Sequence, residues 1–96
     1  MDRYYCPCCG KRFEQIGNLK LHYQISHDLN YCPICKKKYK SVAKHSQMVF
    51  ERKNCCEHAI LYWLSAKYDR SSGLHKKARE IVEKYLKGER KIEWKC

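Results

Sequence analysis

Apolar residues in the second half of the chain recur with the 3.6-residue period of a helix. Ile60, Leu61, Leu64 and Tyr68 fall on one face, which predicts a helix from about residue 55 onward. Asn54, with Glu57 three residues on, has the form of a capping box that would start it. A second stripe, Leu74, Ala78, Ile81, Val82, Tyr85 and Leu86, predicts another helix, with a turn at 69–73 before it and Gly88 as its stop. The two helices are expected to form an antiparallel hairpin, the second stripe packing on Ile60, Leu61 and Leu64. Tyr62 and Trp63 cannot both face such a two-helix core, so one of them is expected at a partner surface. The tail, 89–96, is charged with one Trp and is assigned no structure.

The first half carries a repeat instead of a long apolar period. Tyr5-Cys6-Pro7-Cys8-Cys9-Gly10-Lys11-Arg12-Phe13 recurs 26 residues later as Tyr31-Cys32-Pro33-Ile34-Cys35-Lys36-Lys37-Lys38-Tyr39, identical or similar at seven of nine places. Two copies of one small module therefore follow one another, with no Pro/Gly-rich linker between them.

Composition changes this picture in two ways. Eight cysteines in 96 residues suit either a disulfide scaffold or metal sites. The Cys6/Cys9 and Cys32/Cys35 pairs, each a Cys-x2-Cys followed by histidine, favour zinc, because disulfides are uncommon in a reducing cytosol. A chain this short also needs a staple for its limited core. Charge is the second change. The formal net charge is +11, and residues 31–54 hold seven Lys/Arg against one acidic residue. The run Lys36, Lys37, Lys38, Lys40 and then Lys44, Arg52 and Lys53 suits a polyanion, whose condensed counterions are released as phosphates are neutralised. A membrane span needs roughly 20 consecutive apolar residues, whereas the longest apolar run is the six-residue 59–64. Met1 to Cys6 does not read as a secretory signal. An intracellular location is expected, cytoplasmic in an archaeal or viral setting and nuclear in a eukaryotic one.

Cys6, Cys9, His22 and His27 fall as Cys-x2-Cys-x12-His-x4-His, with Phe13 and Leu19 at Cys-x3-Phe-x5-Leu-x2-His. In these residues the sequence resembles the classical Cys2His2 zinc finger. The resemblance implies a ββα unit whose thiolates come from a hairpin knuckle and whose imidazoles come from successive turns of one helix, closing a tetrahedral zinc site. Cys8 is then a bystander. It also implies that Gln15, Asn18 and Leu21, at helix positions −1, 3 and 6 when His22 is position 7, face successive bases in the major groove. Gln and Asn suit adenine, and Leu21 a thymine methyl.

The second module departs from this pattern. Only five residues separate Tyr39 from His45, where eight separate Phe13 from His22, so His45 sits one helical turn early and Met48, Val49 and Phe50 occupy the place of the fourth ligand. That ligand must come from further along. His58 is favoured because it would clamp the next helix to the module, with Cys55 and Cys56 as alternatives. The layout, including the run Glu57 to Leu64, resembles small two-finger proteins of archaea and their viruses. The usual linker between fingers is missing after His27.

The expected architecture is a small metal-stabilised α+β protein: a Cys2His2 zinc finger over 1–29, an irregular second zinc module over 30–58, a helical hairpin over 59–88 and a charged tail over 89–96. Two zinc ions are expected, one on Cys6, Cys9, His22 and His27 and one on Cys32, Cys35, His45 and His58. The expected function is zinc-dependent, sequence-preferring binding of double-stranded DNA by a small transcriptional regulator, through Gln15, Asn18, Leu21, Lys36, Lys37, Lys38 and Lys40. The alternative is a protein-interaction or RNA-binding zinc module. A protein partner or a second copy of the chain could use the C-terminal helices. No enzyme activity is expected, since four protein ligands leave a zinc ion no open position.

Overall fold

The computed structural model describes residues 3–66, 72–88 and 92–94. Each repeat copy folds into a minimal antiparallel hairpin. β1 (Tyr4–Tyr5) pairs with β2 (Arg12–Phe13) in the register Tyr4↔Phe13, and β3 (Tyr31–Cys32) pairs with β4 (Lys37–Lys38) in the register Tyr31↔Lys38. The repeat extends to the backbone. Gly10 and Lys36, at equivalent places, have φ of 79° and 59°, and each amide donates 2.7 Å to the carbonyl of the first cysteine of its pair. Glycine takes that left-handed geometry freely, whereas Lys36 adopts it at a cost of roughly 1–2 kcal/mol.

Four helices complete this small α+β fold. α1 (Ile16–Ser26) follows the first hairpin and buries Ile16, Leu19 and Tyr23, a stripe at i, i+3 and i+7. α2 (Val42–Lys53) follows the second and buries Val42, Ser46 and Phe50, and Ser41 Oγ caps its start by accepting from the Lys44 amide at 3.3 Å. Asn54 ends α2 in the left-handed region (φ 50°, ψ 40°), and its amide donates to the Phe50 carbonyl. The capping box expected at Asn54 is thus corrected. Asn54 is the C-cap of one helix and Cys55 the N-cap of the next, since asparagine tolerates the left-handed geometry that reverses the chain there.

α3 (Cys56–Ser65) is buried at every position from His58 to Ser65. A helix apolar all round has to be enclosed, and α1, α2 and α4 (Ser72–Tyr85) enclose it. Trp63 and Tyr62 are therefore both in the core, at 4% and 3% exposure, correcting the expectation that one marks a partner surface. That expectation assumed two helices, but α1 and α2 cover the sides of α3 that α4 leaves open. Lys20 on α1 sits over the Trp63 ring, 4.6 Å from its centroid. Gln24 of α1 donates to the Leu64 and Ala66 carbonyls at 3.3 and 3.2 Å, satisfying groups that the end of α3 leaves free. On α4, Ala78 and Val82 are buried with Leu86 just beyond, whereas Tyr85 is exposed. The boundary expected between residues 58 and 59 falls inside α3. Of the expected turn, residues 69–71 lie outside the described residues, as does Tyr68, and Gly73 is already helical. No helix of the described residues is long and apolar enough to cross a membrane.

The segment after α4 returns to the first hairpin. Lys87 bridges Tyr4 in antiparallel sense, the Tyr5 amide donates to the Leu86 carbonyl at 3.0 Å, and the Gly88 amide donates to Arg3 at 3.1 Å. The Tyr5 hydroxyl donates to the Tyr85 carbonyl (3.1 Å) and accepts from the Ile92 amide (2.9 Å). Further on, Trp94 is 5% exposed, and its amide donates to the Pro7 carbonyl at 2.7 Å. The tail is thus packed onto the first cysteine knuckle. Trp94→Ala is expected to destabilise the zinc-loaded protein by about 3 kcal/mol, the usual cost of emptying a buried aromatic site. Chemical denaturation at fixed zinc concentration measures this.

Candidate metal centres

The two hairpins and the helices after them gather two sets of donors. In the first, the knuckle between β1 and β2 supplies Cys6 and Cys9, and the later turns of α1 and its C-cap supply His22 and His27. In the second, the knuckle between β3 and β4 supplies Cys32 and Cys35, the first turn of α2 supplies His45, and the first turn of α3 supplies His58. In each set the four ligand atoms all lie within 4.8 Å of one another.

The donor spacing fits zinc. Bonds of about 2.3 Å to sulfur and 2.0–2.1 Å to nitrogen in a tetrahedron imply sulfur–nitrogen separations of about 3.5 Å. In the first set Cys6 Sγ lies 3.3 Å from His27 Nε2 and Cys9 Sγ 3.2 Å from His22 Nε2. In the second, Cys35 Sγ lies 3.6 Å from His45 Nε2 and 3.4 Å from His58 Nε2, and Cys32 Sγ lies 3.9 Å from His58 Nε2. All four imidazoles turn Nε2 inward. Each set could hold one metal ion, together fitting two zinc ions, which would act as cross-links between knuckle and helix.

Neighbouring rings hold these donors in place. Phe13 packs on His22 with centroids 5.0 Å apart, Tyr23 lies 4.9 Å from His27, and Tyr39 stacks on His45 at 3.8 Å and 12°. Tyr39 thus follows its histidine to the start of α2, although three fewer residues separate them than separate Phe13 from His22. The missing turn that displaces the fourth ligand is made good by the reversal at Asn54, which returns the first turn of α3 to the knuckle. Cys55 Sγ instead meets His58 Nδ1 at 3.3 Å, and exposed Cys56 points to the Tyr85 hydroxyl at 3.9 Å. Cys8 lies outside the first donor set.

Burial sets the protonation of these groups before any metal arrives. Removal from water raises the Cys6 thiol to about 11 and raises Cys32. It also lowers His22, His27, His45 and His58, with Lys11 adding to the effect at His22, the His22 ring at His27, and His45 and Lys53 at His58. Without metal, neutral thiols and neutral imidazoles are favoured. A divalent ion reverses this at sulfur, where it requires the thiolate, and takes the imidazole lone pair as it stands.

The residues expected at a DNA interface all reach the surface. Gln15, Asn18 and Leu21 are exposed along α1, and Lys36, Lys37, Lys38 and Lys40 are exposed on and beside β4. Lys44 is exposed on α2 in the same module. The role of Cys55 beside His58 was not readable from sequence, where it differed from Cys56 only by one position. No protein-family model matches this chain, and no curated protein or solved structure is significantly similar to it.

Zinc titration followed by native mass spectrometry is expected to show two ions in the wild type and in Cys56→Ala, and one in His58→Ala. Uptake is expected to release one proton for each ligating thiol, read from calorimetry in buffers of different ionisation enthalpy. Loading should weaken as pH falls below neutral. The thiols drive that loss, because the imidazoles are already shifted toward lower pKa and compete with the metal only in more acid solution.

Proposed function

We propose that this chain is a zinc-dependent, sequence-preferring DNA-binding protein, a small transcriptional regulator in which β1, β2 and α1 act as a zinc finger of the classical ββα kind. The observation that carries the reading is a division of the surface. α1 exposes Gln15, Asn18 and Leu21, and the second module exposes Lys36, Lys37, Lys38, Lys40 and Lys44 with no carboxylate in salt-bridge range among the described residues.

Lys20 is the only charged residue on α1, and it is turned inward over Trp63, its Nζ 3.4 Å from His75 Nε2. The reading helix therefore brings little affinity of its own. The lysines of the second module supply attraction to phosphates, which positions the protein without specifying sequence, while Gln15 and Asn18 favour adenine through paired amide contacts. The zinc ions in this reading are structural, each enclosed by four protein ligands. A second reading is favoured by one observation. Leu21 and Ile25 are exposed at 57% and 74% one turn apart on α1, a pair suited to docking another protein.

Fluorescence anisotropy with duplex DNA over a salt series tests the proposal. Binding is expected to weaken steeply with salt, and replacing Lys36, Lys37, Lys38 and Lys40 with Ala is expected to reduce the log–log slope by about 3. Gln15→Ala with Asn18→Ala should flatten the preference for an adenine-rich triplet and leave the salt slope in place. Affinity without a salt slope, or unchanged by the lysine substitutions, would overturn the reading.

A further inference from the structure

His58 differs from the other three candidate ligands in one respect. It is 5% exposed, whereas His22, His27 and His45 are half-buried and keep an edge near water. An imidazole that offers the Nε2 lone pair to a metal carries its hydrogen on Nδ1, and a buried N–H left without an acceptor is costly. Among the described residues, the partner of His58 Nδ1 is Cys55 Sγ at 3.3 Å. Nε2 of the same ring faces Cys35 and Cys32 at 3.4 and 3.9 Å. The two nitrogens lie on different edges of the ring, so a sulfur seated against Nδ1 is separated by the imidazole from any ion held at Nε2.

We propose that Cys55 is a positioning residue of the second metal centre: its sulfur accepts the Nδ1 hydrogen of His58, fixes the tautomer and ring orientation that aim Nε2 at Cys32 and Cys35, and does not itself bind the metal. The inference rests on the reading of this cluster as a metal site. Local structure leaves the sulfur available for this task. Cys55 is the N-cap of α3, but its side chain makes no capping hydrogen bond, and three residues on, in the first turn, the ring of His58 comes back over it. Metal-ligating histidines characteristically hand their second nitrogen to such an acceptor, and its loss weakens binding by about 10–100-fold. Adjacent Cys56 is exposed and faces Tyr85, so it provides an internal control.

The test is cobalt(II) and zinc titration of the full chain against a chromophoric chelator, with Cys55→Ala, Cys55→Ser and Cys56→Ala. The wild type must first bind two ions; a chain that takes up only one removes the second metal centre itself, and the role of Cys55 with it. Given two ions, Cys55→Ala is expected to weaken the second by about 10–100-fold and leave the first unchanged. Cys55→Ser should recover most of the loss, because a hydroxyl accepts the same hydrogen, and Cys56→Ala should match the wild type. The sulfur-to-cobalt charge-transfer intensity per bound ion should be the same in Cys55→Ala as in the wild type. Wild-type affinity of both ions in Cys55→Ala overturns the proposal, as does a drop in charge-transfer intensity per ion, which would make Cys55 a ligand. Should Cys55→Ala fail to fold, long-range 1H–15N spectra of the zinc-loaded wild type decide. A hydrogen on His58 Nδ1 supports the assignment, and a hydrogen on Nε2 overturns it.

Discussion

A helix that is apolar around its whole circumference has no stable existence in water, and in this chain α3 is such a helix. Ala59, Ile60, Leu61, Tyr62, Trp63 and Leu64 are all at or below 4% exposure, which one partner helix cannot achieve. The chain meets the constraint by laying α1, α2 and α4 around α3, so that elements from both repeat modules and from the C-terminal region share one core. The consequence is an integrated molecule in which neither module closes its core alone. Tyr5 illustrates the point: a strand residue of the first hairpin, it is fully buried, and its hydroxyl is held between backbone groups of residues 85 and 92.

The two metal centres do different mechanical work within that core. The first set of donors is local, drawn from one hairpin and the helix that follows it, with both histidines on α1 or its cap. The second spans a hairpin and two helices, and His58 lies in the first turn of the enclosed helix itself. An ion there would cross-link the central helix to the cationic module, and the energy of structural zinc binding, on the order of 10 kcal/mol or more, would act on the tertiary arrangement as well as on a local turn. Lys36, held in a left-handed conformation beside Cys35, shows the knuckle geometry being kept even where glycine is absent.

The surface follows from the same enclosure. Covering α3 turns Lys20 inward onto Trp63 and leaves α1 with a neutral outer face, while the second module, whose histidines reach toward the core, presents its lysines to solvent. Recognition and attraction are thereby placed on separate elements. In the proposed reading this suits a protein whose affinity depends on salt and whose sequence preference comes from a few amide side chains.

How much of this was legible in the chain differs by element. The Cys-x2-Cys pairs, the 26-residue repeat, the ligand spacing of the first set, the apolar stripe on α4 and the lysine run are statements about neighbours in sequence, and local geometry carries them directly into the fold. His58 could be favoured over Cys55 and Cys56 by sequence reasoning but not separated from them, because three donors within four residues differ only in where the start of α3 aims each side chain. The roles of Asn54, Tyr62, Trp63 and Trp94 depended on partners distant in sequence. A two-helix reading left one aromatic face of α3 uncovered, and only the packing of α1 and α2 supplied the cover. Sequence alone determined which atoms could bind metal and where charge would lie; the tertiary structure decided which thiol stands beside an imidazole rather than beside the ion, because that choice depends on where a chain reversal sets a helix down.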